Sequence, residues 1–330
     1  MAREVLIFRE ADVRAALDMP SLIDAVERAF VAYSSGRAEL PGVIHLDVPE
    51  TGGEIHVKAG HILEEPFYAV KVSSGFYAPN RPPAVDGLVV VFDAANGAPT
   101  AFLLDNGHIT DVRTAAAGGV AARHLAPRSI ASVAVVGTGA QARYQLDALA
   151  CVRTFLDVRV WGRDPDHARA CVDELRERPG LPEGCAYGVA ATVRDAVEGA
   201  DVVITCTASR EPLVRADWLS PGAHVTAVGS DGPDKQELDA GILARADVLV
   251  VDSRAQCARI GELHHALDAG IIPSPDVAAE LGEVAAGLKP GRNSDDQLTV
   301  CDLTGLGVQD VAAAALVLER AGGGIERLRI

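Results

Sequence analysis

No run of apolar residues in this sequence approaches the roughly 20 that a helix needs to cross a bilayer, so a membrane-spanning protein is not expected. Cysteine is sparse and unpatterned. The six, at positions 151, 171, 185, 206, 257 and 301, form no C-x-x-C pair, which leaves out a disulfide framework and a zinc knuckle. They read as small buried hydrophobes. The nine histidines are scattered as well; the densest group, His264 and His265 after Glu262, lacks a third ligand, and no metal site is expected. Positive charge is short too, since 30 Lys and Arg stand against 46 Asp and Glu, for a formal charge of −16. Nucleic-acid phosphates require basic patches, so a nucleic-acid partner is excluded, and any anionic ligand must find a local pocket of positive charge. Lysine is the scarcer of the two cations, with four residues at 58, 71, 235 and 289 against 26 arginines. In such a chain a lysine inside an apolar strand asks for a specific explanation.

What is present is enough for a large core. The 330 residues, 48% hydrophobic and without low-complexity tracts, suit a soluble globular protein of about two domains. The N-terminal MAREVLIFREADVRAAL carries charges where a secretory leader is apolar, so a cytoplasmic location is expected.

The chain is organised around SVAVVGTGAQARYQLDAL, residues 132–149. A β-branched apolar run passes into a glycine turn and then a helical pattern, which reads as strand, phosphate loop and helix. Gly137 permits the tight turn, Gly139 lets the backbone approach a pyrophosphate, and Ala142 lets the helix pack on the strand. The helix N-terminus offers N–H groups and partial positive charge to the phosphates.

Before this loop, residues 20–36 predict an amphipathic helix. Ser21 and Asp24 resemble a capping box, Leu22, Val26, Ala29, Phe30 and Tyr33 form its apolar face, and Gly36 ends it. The runs GVIHLDV, EIHVKAGHI, FYAVKVSSG, GLVVVFD and PTAFLL then predict an antiparallel meander. Lys58 and Lys71 lie in two of its strands, either snorkelling to the sheet edge or sharing a site. After a DNG turn and a short strand, Thr110 or Asp111 is expected to cap an alanine-rich helix. This puts Arg113 in the first turn, where the dipole disfavours a cation unless an anion is shared with it; the alternative is a solvated pair with Asp111.

Beyond the loop, strand patterns at 157–162, 185–191, 200–209, 223–231 and 246–253 alternate with helices. With the first strand they make six parallel strands, a doubly wound sheet with its ligand crevice at the strands' carboxyl ends. Asp231 opens the loop SDGPDKQELD at one such end, either as a functional group or in a loop ion pair with Lys235. After DVRV come Trp161, Gly162, Arg163, Asp164 and Pro165. NAD-specific sites place an acid about 20 residues past the glycines to meet the ribose. Gly162 leaves room for a 2′-phosphate instead and Arg163 offers it a charge, while Asp164 caps the next helix with Pro165 in its first turn. NADP(H) is therefore favoured over NAD(H). The tail gives a last strand, a glycine-rich turn from Thr304 to Gly307, and a helix from about Gln309.

The motifs AVKVSSG, TDVRTAAAGGVAARHLA, VVGTGAQA, AVGSDGPDKQELD and DLTGLGVQD together resemble the ornithine cyclodeaminase and μ-crystallin family over nearly the whole chain. HVKAGHI and GELHHAL are most similar to a branch associated with ectoine utilisation. The resemblance implies a homodimer and a Rossmann-type doubly wound α/β domain, residues 119–307, inserted in an α+β substrate and dimerisation domain, residues 1–118 plus 308–330. It implies that Lys71 and Arg113 bind a substrate carboxylate, that Asp231 takes part in catalysis, and that Thr304 lines the nicotinamide pocket. In the cyclodeaminases an early arginine also holds the carboxylate; here Val43 or His45 stands near that place, and Lys58 replaces an apolar residue. Lys58 then contacts a second polar group or donates a proton, its pKa lowered by Lys71 and burial. The candidate cofactor contacts are Thr138, Ala140 and Gln141 beside the loop glycines, Thr114, Gly162 and Arg163, and Thr207, Gly229 and Thr304. Three functions follow as expectations: hydride transfer at the α-carbon of a small amino or imino acid, cyclodeamination of a diamino acid with the nicotinamide recycled, or non-catalytic binding of cofactor and small ligand.

Overall fold

The computed structural model describes residues 3–76 and 84–329. The chain divides into two compact units, Met1–Arg113 with Leu306–Ile330, and Thr114–Gly305. Both divisions come a few residues before the expected 118/119 and 307/308. The first falls within one unbroken helix, α3 (His108–Leu125), so no turn signal marks it.

The first unit contains β1 (Glu4–Arg9), α1 (Glu10–Ala16), α2 (Met19–Ser34), β2 (Ala38–Glu39), β3 (Ile44–Val48), β4 (Gly53–Ile62), β5 (Phe67–Phe76), β6 (Ala84–Asp93) and β7 (Pro99–Leu104), closed by the C-terminal helix Gly307–Glu319 and β18 (Glu326–Arg329). Strands β3 to β7 form the antiparallel meander. β1 and β18, which the charged flanks of the sequence conceal, extend it in the order β18-β1-β7-β6-β5-β4-β2, with β3 also on β4. One face packs on α2 and the C-terminal helix, burying Leu22, Val26, Ala29 and Phe30 from the former and Val308, Val311 and Val317 from the latter.

Two local details differ from the expected ones. The cap of α2 is Asp18, whose carboxylate accepts from Ser21 N at 2.9 Å, in place of the Ser21–Asp24 box. Pro20 stands inside the first turn, where its missing N–H costs nothing, so the helix starts earlier. No strand separates the DNG turn from α3. Asn106 and Gly107 take positive φ values of 51° and 80°, and the Asp105 carboxylate, rather than Thr110 or Asp111, accepts from Ile109 N at 2.6 Å. Arg113 consequently lies beyond the first turn, and the dipole argument for it does not apply.

The second unit is a Rossmann-type fold. Its strands are β8 (Ser132–Val136), β9 (Asp157–Trp161), β10 (Ala186–Val189), β11 (Val202–Thr205), β13 (His224–Ala227), β15 (Val248–Val251), β16 (Ala279–Glu280) and β17 (Thr299–Asp302), with β12 (Arg210–Val214) and β14 (Gln236–Leu238) as a separate pair. The main sheet runs β10-β9-β8-β11-β13-β17-β15-β16 and every ladder in it is parallel. It has eight strands where six were expected, because the tail strand β17 slots between β13 and β15 and the two-residue β16 adds an edge. The chain winds outward from β8 through β9 to β10 and then returns to β11. The gap between β8 and β11 is therefore the switch point, where ligands of such sheets bind at the carboxyl ends. Helices α4 (Ala140–Val152) and α5 (Pro165–Glu177) follow β8 and β9. No helix among the described residues is long and apolar enough to cross a membrane.

Candidate active site

The first unit gathers the cations. Lys58 of β4 and Lys71 of β5 are cross-strand partners, both buried on the sheet face that meets the C-terminal helix. Lys71 Nζ and Arg113 Nε each lie 3.2 Å from the same oxygen, Oδ1 of Asp310. All three side chains are at most 5% exposed, so Arg113 is not the solvated partner of Asp111. Arg113 Nη1 also donates to Gln309 Oε1 at 2.7 Å, and that oxygen accepts from Leu306 N at the helix start. The contacts of Lys71 Nζ and Arg113 Nε to Asp310 are ion pairs without good hydrogen-bond geometry, which leaves N–H donors for a ligand. Burial, with the charges of Arg113 and Lys58, pushes the Lys71 pKa down to about 7, while Asp310 opposes this. Burial raises Asp105 to about 6.

His45 lies one same-face row from the lysines, paired with His56 across β3 and β4. Their rings meet edge to face at 4.6 Å, and His45 Nε2 is 2.9 Å from Asp47. Asp310 and Gln309 escaped the sequence reading. An apolar, alanine-rich helix gives no local reason for an acid, and only the fold brings it to Lys71. Close backbone packing sets this approach: a Cβ on Gly307 would sit 2.2 Å from Ala59 O, and one on Gly60 2.9 Å from Gly307 C.

The second unit holds the phosphate loop. Gly137 has φ of 134°, and a Cβ there would come 2.7 Å from Cys206 O, so only glycine suits the turn. Gly139 caps α4 without a side-chain hydrogen bond, and nothing lies within 4 Å of where its Cβ would be. Arg143, one turn on, donates to the carbonyls of Thr138 and Gly139. This occupies the loop carbonyls and leaves the helix N-terminus open to an anion. Gln145 donates to Thr114 O and Gln141 Oε1, both at 3.1 Å, which joins two more of the candidate contacts. A Cβ on Gly118 would meet its amide, so a larger residue in that helix would displace the Gln145 side chain.

Thr207 and Gly229 are joined by a group the sequence did not reveal. Buried Glu237 accepts from Thr205 Oγ1 at 2.8 Å, Thr207 N at 2.5 Å, Thr207 Oγ1 at 2.7 Å and Gly229 N at 2.9 Å, pinning the ends of β11 and β13. Burial pushes its pKa up to about 7 against these four donors. Thr304 donates to Asp252 Oδ1 at 2.9 Å and accepts from Gln256 at 2.9 Å. Asp231 forms a 2.7 Å ion pair with Lys235. Asp164 does cap α5, accepting from Asp166 N at 2.8 Å with Pro165 in the first turn, and Arg163 is exposed. A Cβ on Gly162 would lie 2.4 Å from Thr138 Cγ2, so a larger residue there would displace that threonine.

An open cradle at Gly139, at the head of a helix beside the switch point, fits the pyrophosphate of a dinucleotide. A Rossmann-type unit carried with an α+β unit is the architecture of a class of nicotinamide-dependent enzymes. The chain belongs to the ornithine cyclodeaminase/mu-crystallin family, whose sequence profile matches residues 3–324. An uncharacterised cyclodeaminase of Sinorhizobium fredii is 44% identical over 311 residues, 92% of each chain. Among solved structures, an archaeal alanine dehydrogenase dimer with bound NAD is similar at a TM-score of 0.88 and 33% identity, covering 99% of each chain. The Δ1-pyrroline-2-carboxylate reductase of Thermococcus litoralis, in complex with NADH and L-proline, gives 0.87 and 30%, covering 96% of this chain and 97% of that one.

Proposed function

We propose that the protein is a nicotinamide-dependent oxidoreductase acting at the α-carbon of a small amino or imino acid. The observation that carries this reading is the convergence of buried Lys71 and Arg113 on one carboxylate oxygen, a surplus of positive charge suited to a substrate carboxylate. A dinucleotide held by Gly137–Gln141 supplies the hydride donor or acceptor when bound. Arg113 and Lys71 hold the carboxylate and so orient the α-carbon. Asp231 manages the proton on the substrate nitrogen, and Lys58 meets a second polar group or donates a proton. Thr114, Thr207, Gly229 and Thr304 complete the cofactor contacts, and His45 borders the substrate.

NADP(H) is the favoured cofactor, because the Asp164 carboxylate is committed to its cap while Arg163 is exposed beside the end of β9. The partner is a second copy of the chain. Ile44, Val57, Val72 and Leu88 form an apolar row across four strands on the sheet face away from the helices; Ile44 is 62% and Leu46 58% exposed, and adjoining apolar side chains of this kind support an interaction surface there. A cytoplasmic location accords with the lack of any disulfide among the described cysteines. The 44% identity to an uncharacterised cyclodeaminase supports a second reading, ammonia release from a diamino acid.

A single assay separates these readings. With a 2-oxo acid plus ammonia, or a cyclic imino acid, a reductase consumes NADPH one for one. A cyclodeaminase releases ammonia from a diamino acid without net change in NADPH absorbance. Binding of NADPH with neither reaction across the panel would leave a carrier protein in place of an enzyme.

A further inference from the structure

We propose that Asp310 is a positioning residue of the anion clamp, an internal counter-ion that fixes Lys71 and Arg113 side by side and offsets their mutual repulsion. The inference rests on the reading of these two cations as the substrate-carboxylate site. Three observations carry it. Asp310 is almost fully buried and offers a single oxygen, Oδ1, to both cations at 3.2 Å. Its neighbour Gln309 takes the other edge of the Arg113 guanidinium at 2.7 Å, so consecutive residues of one helix set both the position and the tilt of that fork. The second oxygen, Oδ2, has no hydrogen-bond partner among the described residues. A carboxylate kept in this state is costly unless nearby cations compensate it.

The groups acting on Lys71 from each packed element are Lys58 on β4, Arg113 on α3, Asp310 on the C-terminal helix and Asp105 in the turn after β7; its β6 partner, Val89, is uncharged. Two cations and desolvation drive the Lys71 proton off, and Asp310 is the main group that retains it. Without Asp310, a neutral Lys71 would no longer attract a carboxylate at neutral pH. Asp310 therefore acts on the substrate through the charge and placement of Lys71.

The chain has only four lysines, so the titration of Lys71 is readable directly. Protein labelled with 13C at lysine Cε gives at most four signals, and Lys71→Met identifies the one of interest. In the wild type that signal should titrate near neutrality, and in Asp310→Asn its midpoint should fall by at least about one pH unit. An unchanged midpoint in a folded Asp310→Asn protein overturns the proposal. This readout needs no turnover, so failure to find a substrate would count against the proposed function and leave this inference standing. With a turned-over substrate, Asp310→Asn should raise KM at neutral pH and recover toward the wild type as pH falls, whereas a merely structural defect would depress activity alike across the range. Should Asp310→Asn fail to fold, Asp310→Glu keeps the charge and shifts it by one methylene. Its Lys71 midpoint should stay close to wild type while KM rises about tenfold with little change in kcat, and a wild-type KM in that variant overturns the proposal.

Discussion

Replacing Glu237 with glutamine changes one atom and should loosen the cofactor end of the second unit. Each carboxylate oxygen accepts from one backbone N–H and one threonine hydroxyl: Oε1 from Thr207 N and Oγ1, Oε2 from Gly229 N and Thr205 Oγ1. A protonated carboxyl keeps lone pairs on both oxygens and can turn its O–H toward a threonine hydroxyl, whereas an amide has a single acceptor oxygen, so in either orientation its NH2 faces a buried backbone N–H at hydrogen-bond distance. An orphaned buried donor costs about 1–3 kcal/mol, and for a unit of this size each kcal/mol lowers Tm by about 2–4 °C. Glu237→Gln should melt several degrees lower and bind NADPH more weakly, since the loosened ends of β11 and β13 carry Thr207 and Gly229. The deficit should also depend on pH. The folded pKa of Glu237 is raised to about 7 from the ordinary 4.5, so its contribution is fully present below the unfolded pKa and is lost as pH rises through about 7. The variant should fall further behind the wild type at about pH 5 than at about pH 8. Differential scanning calorimetry at both values, with isothermal titration of NADPH, measures all three quantities. Equal melting at both pH values and unchanged NADPH affinity would show that Glu237 does not brace these strands.

The other expectations concern the two ligands. Arg113→Lys cannot reach both Asp310 and Gln309 with one nitrogen; kcat/KM should fall at least about tenfold, or about 1.4 kcal/mol, and wild-type kinetics in a folded variant would remove Arg113 from the site. Asp231→Asn should lower kcat with little effect on NADPH binding, and an unaltered kcat across the pH range would assign Asp231 to its ion pair with Lys235. Arg163→Ala should weaken NADPH far more than NADH, and equal or tighter binding of NADH by the wild type would rule out the NADP(H) preference. Leu46→Lys should convert a dimer to monomers in light scattering, and an unchanged mass would place the subunit contact elsewhere.

Features set by near neighbours in the chain were legible. The loop from Gly137 to Ala142, the cap of Asp164 with Pro165 behind it, and the cross-strand meeting of Lys58 and Lys71 follow from steric rules and strand alternation that act over a few residues. Capping was misread where several polar residues compete, as at Asp18 against Ser21 and Asp105 against Thr110 and Asp111, because propensity alone cannot choose among them. Asp310 and Glu237 were hidden for another reason. Each acid takes its meaning from partners that only tertiary structure brings to it, and at Asp310 an apolar helical pattern points away from chemistry. β18 stayed hidden because an exposed edge strand with alternating charges, ERLR, resembles a solvated loop, and β1 because its four apolar residues between Glu4 and Arg9 are too few to show a strand period.

The glycine pair at Gly60 and Gly307 links two properties usually treated as independent. Backbone meets backbone there, with no slack for even a methyl group, and Asp310 follows within the next turn of the same helix. Alanine at either position would lift the helix from the strand and draw the carboxylate away from Lys71 and Arg113. The depth of a packing contact thus tunes an electrostatic field, so an uncharged substitution several residues from the clamp should register as a change in anion affinity.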